Sequence, residues 1–376
     1  MSRARTYLDW NATAPLRREA RAAMVAALDV VGNPSSPHAE GRRARALIED
    51  AREQVAAFVG AKPAEVVFTS GGTEANNAVL AGGWRAVLVA GIEHDSVLAP
   101  ARNCGAQLMD VPVGSDGVVV RDRLAELMSQ TREGQTLVSL QMANNETGVL
   151  QPVADVAREA REHGLAVHTD AVQAAGRVPI DMRALGIDYL TLSAHKLGGP
   201  KGVGALVIRE GASLPAFIAG GGQERRRRAG TENVAAIAGF GAAADAARSG
   251  LAEMERVRAL RDQLENQVRA ITPEAVVIAA EAPRLPNTTS LALPGASAET
   301  LVIALDLKSI AVSAGAACSS GKVGASHVLA AMGLEPRIAR AAIRISLGCT
   351  STERDVAALL EAWSQVSLAR RERAVA

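Results

Sequence analysis

Lysine is scarce in this chain: it occurs only as Lys62, Lys196, Lys201, Lys308 and Lys322, against a large excess of arginine. A genome bias toward arginine is the plain explanation to weigh. Even so, a lysine kept in such a chain can act as an amine nucleophile, which arginine cannot. Lys196 is placed for that task. It ends Ser193-Ala194-His195-Lys196, behind an apolar run at 189–193 and ahead of the turn Leu197-Gly198-Gly199-Pro200. An amine at the ligand edge of a buried strand is partly desolvated, which favours the neutral form that makes a Schiff base. A second cluster, Ser70-Gly71-Gly72-Thr73-Glu74-Ala75-Asn76-Asn77, follows the run 66–69. Glycines, a threonine and a helix start together make an anion cradle of backbone N–H groups. No Walker lysine or Gly-x-Gly-x-x-Gly follows, which disfavours a nucleotide. A third residue, Asp170, follows the run 165–169, where an acid can hold a pyridinium nitrogen in its protonated state.

Each feature has a plain alternative: a solvated lysine, an ordinary strand–helix turn, a helix-capping acid. Together they supply a phosphate cradle, a pyridinium partner and a Schiff-base amine, the set that pyridoxal phosphate needs. Ser193 and His195 stand beside the lysine as further phosphate contacts.

These residues need a scaffold that brings several strand ends together. Short apolar runs at 66–69, 86–90, 107–111, 136–141, 165–169, 189–193 and 204–208 alternate with amphipathic segments such as 43–58 and 154–163. Strands alternating with helices over that length predict a mostly parallel sheet covered on both faces, with ligands beyond the carboxyl ends of the strands. A long amphipathic stretch at 251–270 predicts one helix leading to a smaller α+β unit, with strands at 290–293 and 342–346 and helices at 298–305 and 352–365. The expected division is a large cofactor-binding domain, 13–255, and a small domain from 1–12 and 256–376. No low-complexity linker separates them, so they should pack tightly.

The bulk properties narrow the partners. With 376 residues and a net charge of +1, the chain has no global field favouring nucleic acid or an anionic membrane. The run Arg225–Arg228 has no interleaved aromatics; a solvated loop at a dimer interface, or a docking spot for an acidic partner, is expected there. No apolar run is long enough to span a bilayer, and the N-terminus shows no signal-like pattern, so the expected location is cytoplasmic. Cys104, Cys318 and Cys349 form no metal or disulfide pattern. Cys104 and Cys349 read as small packed hydrophobes. Cys318 stands among Gly, Ala and Ser, a composition that suits a loop with an accessible thiol.

The ordered motifs are those of a known family. They run from Tyr7-Leu8-Asp9-Trp10-Asn11-Ala12-Thr13 through Gly32-Asn33-Pro34-Ser35-Ser36, the 70–77 cradle, Ile92-Glu93-His94 and Ala143-Asn144-Asn145-Glu146-Thr147-Gly148. They continue through Asp170-Ala171-Val172-Gln173, 193–196, Gly220-Gly221-Gly222-Gln223-Glu224 and Ala229-Gly230-Thr231-Glu232-Asn233. They close with Ser313-Ala314-Gly315-Ala316-Ala317-Cys318-Ser319-Ser320-Gly321 and Ile343-Arg344-Ile345-Ser346-Leu347-Gly348. In these the chain resembles the cysteine desulfurases of the class V aminotransferase group, NifS/IscS-like branch.

The resemblance implies a fold-type I pyridoxal 5'-phosphate enzyme, a sulfurtransferase that converts L-cysteine to L-alanine and leaves a persulfide on Cys318. It implies catalytic roles for Cys318, Lys196 and His94, the last stacked on the pyridine ring. Phosphate contacts fall to Gly72, Thr73, Ser193 and His195, with Thr231 reaching in from the other subunit of a homodimer. Asp170 and Gln173 meet the ring nitrogen and phenolic oxygen. Asn145 and Arg344 grip the substrate carboxylate, a task suited to the guanidinium fork. A sulfur acceptor such as an iron–sulfur scaffold is the implied partner, with Cys318 meeting metal through the persulfide. Three positions depart from the family pattern: Trp10 stands where a second asparagine is usual, Gly198 where an aromatic is common, and Gly324-Ala325 where Glu-Pro is usual. The C-terminal 368–373 lacks the scaffold-docking tail of the IscS-like branch, which points to the NifS-like one.

Overall fold

The computed structural model describes residues 5–315 and 326–375, with side chains to residue 370. Cys318 and the Gly324-Ala325 pair lie outside the described residues. Strand β1 (Thr6–Tyr7) precedes the large sheet, which is built from β2 (Val66–Thr69), β3 (Ala86–Ala90), β4 (Gln107–Val111), β5 (Thr136–Ser139), β6 (Ala166–Asp170), β7 (Tyr189–Ser193) and β8 (Gly204–Ile208). Its order is β2-β8-β7-β6-β5-β3-β4, and only β8 runs antiparallel to its neighbours. The mostly parallel α/β sheet expected from the sequence is present.

Alternation along the strands explains how both faces are covered. Phe68, Leu88, Val138, Leu190, Leu192 and Val207 point into one core with helices Ala39–Phe58, Val153–Glu162 and Val234–Ser249. Val67, Val87, Val89, Leu137 and Leu206 point to the other face, against helices Gly72–Leu80 and Asp95–Asn103. The runs read as strands have the expected places, with ends shifted by one or two residues: the run at 136–141 leaves the sheet after Ser139, and the helix at 251–270 spans Glu253–Ile271.

The remaining strands are β9 (Val276–Val277), β10 (Thr288–Ala292), β11 (Ile310–Ala311), β12 (Ser313–Ala314) and β13 (Ala342–Ser346). They form an antiparallel sheet of order β12-β13-β10-β9, while β1 pairs in parallel with β11. Leu8, Leu291, Ile343, Ile345 and Trp363 share a separate hydrophobic cluster with the long helix Glu253–Ile271. The other face of this sheet, through Ala292 and Ala342, packs into the core of the large sheet. Consequently Arg344, between Ile343 and Ile345, must point toward the large sheet.

Two departures from the family pattern have local causes. Gly198 has φ +92°, and a Cβ there would lie 2.6 Å from Arg17 Cγ, so an L side chain would be strained by the backbone and would force Arg17 to shift. Trp10 is buried and fills the space of a side chain at Gly348, whose Cβ would lie 2.0 Å from the indole. The two residues are therefore coupled. Gly348→Ala should destabilise the protein by about 3 kcal/mol through overpacking. In a Trp10→Ala background the same change should cost far less. Denaturant unfolding of the four proteins measures the coupling; additive costs would show that the contact does not limit position 348.

Candidate active site

Strands β2, β3, β5, β6 and β7 all end at one edge of the large sheet, and there a cavity of about 210 Å³ opens. It is lined by Gly72 and Thr73 after β2, His94 after β3, Asn145 after β5, Asp170 and Gln173 at the end of β6, and Ser193, His195 and Lys196 after β7. Nine residues singled out in the sequence thus converge on one space. Arg344 and Thr231 are not in its lining; Thr231 borders a different cavity with Ser70 and Arg228.

Local rules place each group. The helix Gly72–Leu80 begins at the cradle, so its free N–H groups face the cavity. A Cβ on Gly72 would stand 2.9 Å from Val172 Cγ2, so the close strand-to-turn approach requires glycine. Asp170 fills the capping role considered for it and also lines the cavity. One oxygen accepts from Val172 N at 2.9 Å, capping the turn, and the other accepts from Asn76 Nδ2 at 2.8 Å. Asn76 also donates to Ser96 Oγ at 2.9 Å, and Ser96 Oγ lies 2.8 Å from His94 Nδ1. That nitrogen accepts the Ser96 backbone N–H, so the neutral ring carries its proton on Nε2. Asp170 and His94 are therefore joined through Asn76 and Ser96, neither of which the strand-end pattern or the family motifs marked with a role. The available signal was spacing: Asn76 sits four residues after Gly72, on the same face of the helix.

Lys196 Nζ donates to the carbonyls of Asn11 at 2.6 Å and Ala12 at 2.9 Å. His195 lies 3.2 Å from Thr13 Oγ1, and burial, with help from the charges of Lys196, Lys201 and Arg177, lowers its pKa to about 4. It is neutral at pH 7, with a ring N–H available to an anion.

Arg344 is buried within β13, between β12 and β10, so an exposed edge-strand arginine is ruled out. Its Nη1 donates to Asn145 O at 3.0 Å and its Nη2 meets Asp9 Oδ1 at 2.6 Å, while Nε is buried without a partner. The Asn145 contact ties it to the cavity. Asp9 was not foreseen as a partner, because the pairing spans 335 positions. In the arginine run, Arg225 and Arg226 are exposed as expected. Arg228 departs from that reading: it grips Glu74 of the cradle helix at 2.9 and 3.2 Å, since the strand-end turn brings that carboxylate under the loop. Cys104 and Cys349 are partly buried against the second and third clusters, as small hydrophobes should be.

The sequence comparisons place this geometry. The description "Aminotransferase class-V" matches residues 6–359. The chain belongs to the class-V aminotransferase family. Among its relatives is "Cysteine desulfurase IscS" of Dictyoglomus turgidum, 39% identical over 372 residues, covering 96% of this chain and 94% of that protein. A solved NifS-like protein from Rickettsia africae superposes with a TM-score of 0.90 at 36% identity, covering 97% of this chain and 99% of that one. A structure described as SspA in complex with cysteine gives a TM-score of 0.79 at 29% identity, over 92% of this chain and 100% of that one. Members of this class use pyridoxal phosphate. The cavity fits such a group: a glycine cradle for an anion, an acid, a lysine amine, and a buried Asn76 Oδ1 that has no partner within the protein.

Glu146, next to Asn145, accepts from Ser326 Oγ at 2.6 Å; burial pushes its carboxyl up to about 7, against the pull of Ser326, Arg344 and His94. The folded state holds this proton above the ordinary value of 4.5, so stability should fall as pH rises from about 4.5 to about 7. Glu146→Gln keeps an acceptor for Ser326 and removes the titration. Relative to the parent, it should gain on the order of 2 kcal/mol at pH 8 and almost nothing at pH 4.5. Denaturant midpoints across that range decide, and parallel pH profiles would refute the assignment.

Proposed function

We propose that the chain is a pyridoxal-phosphate-dependent cysteine desulfurase, which takes L-cysteine to L-alanine and moves the sulfur to the thiol of Cys318. The observation that carries this reading is the convergence of Lys196, Asp170, His94 and the Gly72–Thr73 cradle on one cavity. The relatives' printed names support the substrate.

Lys196 would hold the cofactor through Nζ, with the phosphate on Gly72, Thr73, Ser193 and His195. Asp170 would protonate the ring nitrogen, held in place by Asn76 and Val172 N. Gln173 would donate to the phenolic oxygen, and His94 would stack on the ring. Bound pyridoxal phosphate supplies the electron sink for charge that develops at the substrate Cα. Asn145 and Arg344 would bind the substrate carboxylate, with Arg344 already pinned by Asp9 and the Asn145 carbonyl. Nζ of Lys196 would take the Cα proton. The Cys318 thiolate then attacks the substrate sulfur as the C–S bond breaks; the sulfur stays on Cys318 as a persulfide, and the carbon skeleton takes up protons as alanine.

The same reading divides the chain into a cofactor-binding domain, 13–255, and a smaller one from 1–12 and 256–376; the separate cluster around Leu8 and Trp363 supports it. Thr231 would complete the partner subunit's phosphate site in a homodimer, in keeping with its position outside this chain's own cavity. A sulfur acceptor, such as an iron–sulfur scaffold, would receive sulfur from Cys318, which would meet metal through the persulfide. Among the described residues no helix is long and apolar enough to cross a membrane, and none form a metal-binding group. We place the protein in the cytoplasm.

Lys196→Ala should abolish both the visible absorption of the loaded protein and alanine formation. Cys318→Ala should keep the absorption and lose persulfide and sulfide release. Spectra with paired alanine and sulfide assays make the test; brisk sulfide release by Cys318→Ala would rule out the nucleophile assignment.

A further inference from the structure

Arg177 lies in the turn-rich segment after β6, one helical turn beyond Gln173, and is 6% exposed. Its Nη1 donates to Gln173 twice, to the backbone oxygen at 2.5 Å and to Oε1 at 2.9 Å. Its Nη2 donates to Trp10 O at 3.3 Å and approaches Lys196 O at 3.5 Å. Among the described residues no carboxylate pairs with it, so its partners are oxygens of neutral groups. Leaving a guanidinium buried without a counter-charge is costly, and burial together with Arg344 lowers its pKa to about 9. None of the roles assigned above uses this residue.

We propose that Arg177 is a positioning residue that fixes the Gln173 carboxamide with its NH₂ group toward the cofactor cavity and holds a buried positive charge behind that cavity. The orientation follows from donor chemistry. A guanidinium only donates, so the face of Gln173 toward Arg177 must be its oxygen. Nε2 then turns the other way, donating to Asn11 O at 3.0 Å and leaving its second hydrogen for an acceptor in the cavity that Gln173 lines. An anionic ligand in that cavity supplies the charge that the protein around Arg177 lacks. The inference rests on the reading that the cavity takes pyridoxal phosphate.

The test uses purified full-length apoprotein titrated with pyridoxal phosphate, and the pH midpoint of the visible absorption of the loaded protein. Arg177→Lys keeps the charge but loses the fork; Arg177→Met loses both. Both variants should bind the cofactor roughly tenfold or more weakly. The pH midpoint should rise in Arg177→Met, because removing a cation disfavours the deprotonated form, and should return toward the parent value in Arg177→Lys. If Arg177 acts through Gln173, Arg177→Lys should cost almost nothing further in a Gln173→Ala background. Parent-like affinity in Arg177→Lys, or full additivity with Gln173→Ala, overturns the proposal, and these two measurements suffice if Arg177→Met does not fold. Parent protein that takes up no pyridoxal phosphate would instead overturn the cofactor reading.

Discussion

Three consecutive backbone carbonyls, of Trp10, Asn11 and Ala12, connect the chemistry of the site to the rest of the chain. Trp10 O accepts from Arg177, Asn11 O from Gln173 and Lys196, and Ala12 O from Lys196. The opposite side of the same strap is tied to the smaller sheet: Trp10 N donates to Ser346 O and Asn11 N to Ser346 Oγ, and the Asn11 side chain joins Thr288 and Asn287. A carbonyl buried in this way needs a donor, and the donors on offer are the functional side chains. The strap therefore aims the lysine and the glutamine while holding the smaller sheet over the strand ends. Trp10 packed on Gly348 keeps the strap at its depth, which gives that bulky departure from the family pattern a structural reason.

Much of this was legible in the sequence because parallel sheets impose a simple rule. A strand buried on both faces is a continuous apolar run, and the residues just past its carboxyl end meet at one edge. The runs before Gly72, Asp170 and Lys196 therefore located the cavity before any distance was known, while His94 entered only through the family resemblance. Roles were another matter. Strand-end position marked Lys196 by itself, whereas Gln173 and Asn145 drew their parts only from the family resemblance.

What stayed hidden depends on pairings far apart in the chain. Register decides that Ser313 and Ser290 flank Arg344, and that β1 runs beside β11 rather than in the large sheet. No local pattern in the first ten residues announces that Asp9 will meet an arginine on β13. Asn76 and Arg177 were equally silent, since each is a polar residue one turn from a recognised one, and only the packed structure shows that both are buried. The arginine run divides for a related reason: composition marks four charges, but the fold sends Arg228 to Glu74 and leaves Arg225 and Arg226 in solvent.

The charges around the cavity also bear on how a substrate is received. Lys196 lines the cavity and Arg177 and Arg344 lie behind its lining, with Asp170 in the lining and Asp9 beside Arg344. Such an imbalance suits a cofactor and a substrate that both carry negative charge. Arg344 does not wait as an open fork, because Nη1 is engaged by Asn145 O and Nη2 by Asp9. In its proposed role, Arg344 would still offer a substrate carboxylate the buried Nε and the second hydrogens of Nη1 and Nη2 without displacing Asp9. Contact through those donors would keep the guanidinium paired with Asp9 and avoid exposing an unpaired buried charge, so Asp9 would act as a standing counter-ion rather than a competitor. On that arrangement the arginine's orientation is set before substrate arrives, and binding spends little of its free energy on ordering it.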